Sequence, residues 1–200
     1  MNTSTKTLPE GYVQSGEINL KKNRRLALML NIVGLLVMIF SFFLFSSLVA
    51  LVRPSLVGTS GTITAGVIVI IVGLTVTLLT IHELVHGFFF WAFTRSRPVF
   101  ALHLFYACAG APDWYFPARQ YAVSALGPLV IIDAVGVLFM LLVPLGWVLA
   151  PVYMMAMNTG GSMGDLFILY RVLKLSPTSL VNDTGDVVTF YDHISNISHP

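Results

Sequence analysis

The sequence predicts an all-α membrane protein with four transmembrane helices and both termini in the cytoplasm. Three observations predict it. Only 10% of the 200 residues are charged and 56% are hydrophobic, with a mean hydropathy of +0.83; an average soluble domain carries about 25% charged residues. Four apolar stretches are each long enough to cross a hydrocarbon core, which takes about 20 residues. Threaded through a membrane, these stretches leave ten of the eleven Lys and Arg residues on one side, as the positive-inside rule requires. The same composition is too apolar for disorder. A net charge of +2 indicates no nucleic-acid partner. The single Cys108 excludes an intramolecular disulfide and any multi-Cys zinc or iron–sulfur site.

Residues 1–25 form a polar cytoplasmic segment that ends in Lys21, Lys22, Arg24 and Arg25. The membrane domain spans residues 26–175. Its first stretch, Leu26 to Val52, has 27 residues and no charge. It exceeds the h-region of a cleaved signal, about 7–15 residues, and so reads as a retained helix. A turn follows, from Arg53-Pro54 to Gly61. The second stretch, Thr62 to Phe93, contains His82, Glu83 and His86 and is closed by Arg95, Arg97 and Pro98.

The loop over residues 98–119 begins with the aromatic and β-branched run Val99 to Tyr106, which reads as a short β-hairpin or re-entrant loop. Strand backbone cannot face lipid, because its polar groups would be unsatisfied. This run therefore lies at the interface or inside the protein, and its edge is a candidate for strand addition by an extended substrate. Asp113 to Phe116 reads as an interfacial aromatic anchor. The third stretch, Tyr121 to Val143, contains Asp133; the fourth, Trp147 to Leu175, is interrupted from Asn158 to Asp165. Residues 176–200 form a polar cytoplasmic tail. In it, Asp183-Thr184-Gly185 matches the signature of aspartic proteases, but a short tail cannot build their paired β-domain. It reads as a turn before a strand from Asp186 to Tyr191. Asn182 and Asn196 match glycosylation acceptors that a cytoplasmic tail would leave idle. Cys108 reads as a small apolar filler.

Glu83, Asp133 and Asp165 are the acidic residues inside the stretches. Each costs about 2.5–3.5 kcal/mol to insert, so each is a functional candidate. His82-Glu83-Leu84-Val85-His86 is an H-E-x-x-H pattern. With five His and three Glu in 200 residues, chance supplies this pattern about 0.002 times. Residues four apart on a helix share a face, so two imidazoles can bind one Zn²⁺ at about 2.0–2.1 Å. Glu83 points roughly a hundred degrees away, toward an activated water rather than the metal.

A catalytic zinc needs a third protein ligand. Phe89 and Ala92 stand where an extended metzincin site has Gly and His, and the only other glutamates are Glu10 and Glu17. That leaves His103 in the loop, His193 and His199 in the tail, and Asp133 and Asp165 in the stretches. Depth selects among the acids. At 1.5 Å per helical residue the histidine pair lies about 16 Å from Arg95, Asp165 about 9–14 Å from Arg171 and Lys174, and Asp133 about 21 Å from Arg119. Asp165 is the better match and Asp133 the runner-up. Gly160, Gly161 and Gly164 loosen the helix beside Asp165 and let backbone approach the metal, or else form a helix-packing motif.

With these residues the chain resembles the small four-span membrane zincin peptidases, which are similar to the site-2 protease class of intramembrane metalloproteases. The resemblance rests on Leu8 to Ile18, His82 to Gly87, the pair Gly127-Pro128, and Asn158 to Asp165. It implies that Asp165 is the third zinc ligand and that Asn158 contacts substrate or the oxyanion. The usual order in that class is Asp then Gly with a Pro upstream; here Gly164 precedes Asp165 and the Pro is missing. The expected activity is a zinc-dependent endopeptidase, with one Zn²⁺ on His82, His86 and Asp165 and with Glu83 as general base. It would cut membrane proteins or peptides at or within the bilayer, in a bacterial cytoplasmic membrane. The alternatives are a catalytically silent zinc-binding chaperone or interaction protein, and a metal transporter, which would show polar pathways or repeats.

Overall fold

The computed structural model of the protein describes residues 3–54, 64–102 and 107–197. His103, His199, the end of the run to Tyr106 and the turn residues before Gly61 lie outside them. Three helices are long and apolar enough to cross a membrane: α1 (Arg24–Val52), α2 (Ala65–Thr94) and α3 (Ala118–Leu142). They leave large apolar side chains such as Leu36, Phe40 and Phe43 exposed, as helices that meet lipid do. Helix α2 ends at Arg95, whose positive φ of 56° gives a left-handed cap. Its guanidinium sits 5.1 Å from the Trp91 ring centre.

The fourth expected stretch is two shorter helices, α4 (Leu149–Gly161) and α5 (Met163–Val172). The break falls at Ser162, whose N–H and hydroxyl both donate to the Asn158 carbonyl, at 2.9 and 2.8 Å. A side chain bonding back to the i−4 carbonyl competes with the regular ladder.

The protein is not all-α. Four strands, β1 (Tyr12–Asn19), β4 (Tyr115–Pro117), β5 (Leu180–Asp183) and β6 (Val187–His193), form an antiparallel sheet in the order β1-β6-β5-β4. The polar segment at one end of the sequence thus pairs with the tail at the other, Tyr12 opposite His193 and Asn19 opposite Val187. Gly185, at φ 90°, makes the turn between β5 and β6 expected at Asp183-Thr184-Gly185. The loop after α2 carries the expected hairpin, β2 (Val99–Leu102) against β3 (Ala107–Gly110). A last short helix, α6 (Ile194–Ile197), follows β6.

The chain divides into two compact units. One comprises residues 1–29, 83–128 and 164–200. It holds both sheets and a core in which Phe116, Val181 and Phe190 are buried with Phe90 and Tyr121. The other comprises residues 30–82 and 129–163. Its core is built on Val49, Met140, Val148, Val152 and Met155. Within this second unit, a Cβ on Gly160 would lie 2.6 Å from the Gly34 carbonyl oxygen. The glycine is therefore there for close backbone contact between α1 and α4, the packing role. A Cβ on Gly161 or on Gly164 would meet open space.

Candidate metal centre

His82, Glu83 and His86 all stand on α2, which runs unbroken from Ala65 to Thr94. The four-residue spacing puts both imidazoles on one helix face. His82 therefore lies one turn before His86, and Asp165 belongs to the same compact unit as His86. His86 Nε2 stands 3.4 Å from Asp165 Oδ1, with the two side chains 11% and 23% exposed. Two ligands of a tetrahedral ion at about 2.1 Å are separated by roughly 3.4 Å, so this pair is already at ligand spacing. Asp165 lies in the first turn of α5, where the helix dipole favours a carboxylate. Two imidazoles and one carboxylate form a three-donor set of the kind found in catalytic zinc sites, which keep a fourth position open.

The orientation of His86 traces to a proline. In a regular helix the Ser124 carbonyl of α3 would accept the N–H of residue 128. That residue is Pro128, which has no N–H. The freed carbonyl oxygen instead lies 3.0 Å from His86 Nδ1. A carbonyl only accepts, so Nδ1 carries a hydrogen and Nε2 is the nitrogen turned toward Asp165. Gly127-Pro128 was visible in the sequence, but its partner was not.

Asn158 is 1% exposed on α4. Its Oδ1 is 3.0 Å from His82 Nδ1, and its Nδ2 donates to Asp133 Oδ1 at 2.9 Å. The carboxamide, expected from the resemblance to meet substrate or the oxyanion, here links His82 to Asp133. Asp133 is the runner-up ligand of the sequence reading. It takes the Asn158 amide, and the Thr159 hydroxyl stands 2.9 Å from its Oδ2. His193 is in β6, edge-on to Tyr12 and 2.8 Å from the Ser195 hydroxyl.

Residues 75–180 match the family model described as "Putative zincin peptidase". The chain belongs to that family. The matched region holds the H-E-x-x-H motif, Asp133, Asn158 and Asp165, and zincin membership makes the chain a member of a metallopeptidase family. No curated protein and no solved structure matches the chain.

One further group was misjudged from sequence and a second agrees with it. Asp183 is not a plain turn residue. It is 7% exposed, accepts the Tyr121 hydroxyl at 2.5 Å and accepts the Gly185 N–H at 2.7 Å. Burial pushes its carboxyl up to about 6, although the two hydrogen bonds pull the other way. Only the alternation of polar residues in a short tail hinted at a buried strand. Burial also pushes the Cys108 thiol up. Little thiolate forms at neutral pH, which suits a filler and not a nucleophile.

Proposed function

We propose that the protein is a zinc-dependent endopeptidase that works in the membrane or at its surface on membrane-associated proteins or peptides. The observation that carries this reading is the approach of His86 Nε2 to Asp165 Oδ1 at 3.4 Å, with Glu83 and His82 of the same motif on the helix that carries His86. When bound, zinc would supply a Lewis acid that lowers the pKa of water toward 7 and polarises a scissile carbonyl. His82, His86 and Asp165 would hold it. Glu83, half-buried on α2, accepts the proton of the attacking water and returns it to the leaving amine. An intramembrane site of site-2 protease type is the form of this activity that three apolar helices and a half-buried His86–Asp165 pair support.

A helix hides its carbonyls, so the substrate segment must be extended. Strand β2 pairs only with β3 among the described residues, which leaves one edge for strand addition. That hairpin is anchored next to the histidines: a Cβ on Gly87 would lie 2.4 Å from the Phe100 ring. Glycine at 87 is what lets β2 come so close to the helix that carries His86. A multi-pass position in a bacterial cytoplasmic membrane fits the basic residues at the α1 entrance and beyond α2.

The test is cleavage of a fluorogenic peptide library by the full chain in detergent. Glu83→Gln should lower turnover by about 10²–10⁴-fold with zinc content unchanged. Normal cleavage by that variant would contradict the mechanism. Exchangeable zinc moving into vesicles would point to transport instead.

A further inference from the structure

The contacts behind His82 have a direction. Asp133 on α3 offers carboxylate oxygens, which accept. Asn158 Nδ2 donates to Oδ1 at 2.9 Å, and the Thr159 hydroxyl lies 2.9 Å from Oδ2. An amide that turns its NH₂ toward a carboxylate turns its carbonyl the other way. That carbonyl, Asn158 Oδ1, is 3.0 Å from His82 Nδ1. Since it can only accept, Nδ1 must carry the imidazole hydrogen, and the lone pair sits on Nε2. Asn158 is 1% exposed, so bulk water cannot compete for its amide. All four residues belong to the same compact unit.

We infer that Asp133 and Asn158 are positioning residues that fix His82 as its Nδ1–H tautomer and so aim the Nε2 lone pair at the metal position. The link to metal rests on the proposed function; the tautomer does not. Polar residues on neighbouring membrane helices commonly act only as packing glue. Glue needs a hydrogen bond of either polarity. The relay needs an acceptor at position 133, a donor and acceptor at 158, and a donor at Nδ1. Asp133→Asn keeps a carbonyl acceptor facing Asn158, whereas Asp133→Leu lets the Asn158 amide rotate.

The experiment uses the full chain in detergent, with ¹⁵N-labelled histidine, stripped of metal by a chelator and held at pH 8. Long-range ¹H–¹⁵N correlations read the tautomer of His82, assigned by the signal missing in His82→Gln. The expected result is Nδ1–H in the wild type and in Asp133→Asn, with a shift toward Nε2–H in Asp133→Leu. A bare Nδ1 in the wild type would overturn the relay, whatever the variants do. So would an unchanged tautomer in Asp133→Leu or, should that variant not fold, in Asn158→Ala. Zinc competition against a chromophoric chelator then reads the second half. Affinity should fall about 10–100-fold in Asp133→Leu and stay near wild type in Asp133→Asn. A wild type with the expected tautomer and no zinc uptake would sink the proposed function and leave the relay standing. Tight wild-type zinc with equal affinity in Asp133→Leu would sink the relay's metal role alone.

Discussion

The two histidines of the motif sit one helical turn apart and are held by opposite means. His86 gives its Nδ1 hydrogen to the backbone carbonyl of Ser124, a carbonyl that Pro128 leaves without its helical partner. His82 gives its own to a side chain, Asn158, which is held in turn by Asp133. A backbone carbonyl keeps its place under most substitutions of its own residue. A side-chain relay can be cut at any link. The motif is symmetric in sequence, but its two halves are expected to differ sharply in how they respond to mutation.

The largest effect should come from removing either ring. His82→Ala and His86→Ala should each lose stoichiometric zinc, because three protein ligands are the minimum for such a site; metal analysis of purified protein checks this. Retention of zinc by one of them would show that the halves are not equivalent ligands.

Next comes the proline. Pro128→Ala restores an N–H that competes for the Ser124 carbonyl. Zinc affinity should drop by less than about tenfold, a milder loss than cutting the relay behind His82, while the helix itself gains a hydrogen bond. Chelator competition and thermal melting on the same samples separate the two. An affinity loss without a gain in melting temperature would argue that Pro128 does not free the carbonyl.

Ser124→Ala should change almost nothing. The buried Ser124 hydroxyl has no hydrogen-bond partner among the described residues, and the carbonyl stays. Zinc affinity should remain within about twofold and stability should hold or rise slightly. A large loss would mean that the side chain, not the backbone, serves His86.

The smallest effect concerns Asp183, on the His86 side. Its carboxyl sits at about 6 in the folded protein, above its ordinary value of 3.8. The fold thus prefers the protonated form. That preference adds stability at low pH, in full below the ordinary value, and is lost as pH rises through about 6. The metal-free protein should melt at a higher temperature at pH 5 than at pH 7.5, and Asp183→Asn should flatten the difference. A slope of opposite sign would show that the Tyr121 and Gly185 hydrogen bonds outweigh burial.

The sequence made the candidate metal ligands legible because they violate their surroundings. Two histidines and three acids stand out in apolar stretches, and helical spacing and depth then relate them. Asp133 stood out equally, but its distance along the helix could not reveal Asn158 as the link. Pro128 was visible without its consequence, since a freed carbonyl has no meaning until something donates to it. The sheet was hidden for a different reason. Strand β6 was legible as the run from Asp186 to Tyr191, but its partner β1 pairs residues about 180 positions away, Tyr12 with His193, and β1 is not apolar enough to announce itself. The broken fourth stretch was foreseen from its glycines, yet the interruption is at Ser162, and Gly160 serves contact with Gly34.

The most direct measurement is zinc stoichiometry of the purified full chain beside Asp165→Ala. One zinc per wild-type chain and close to none in Asp165→Ala is the predicted result. A full zinc complement without the Asp165 carboxylate would contradict the ligand set on which the proposed chemistry depends.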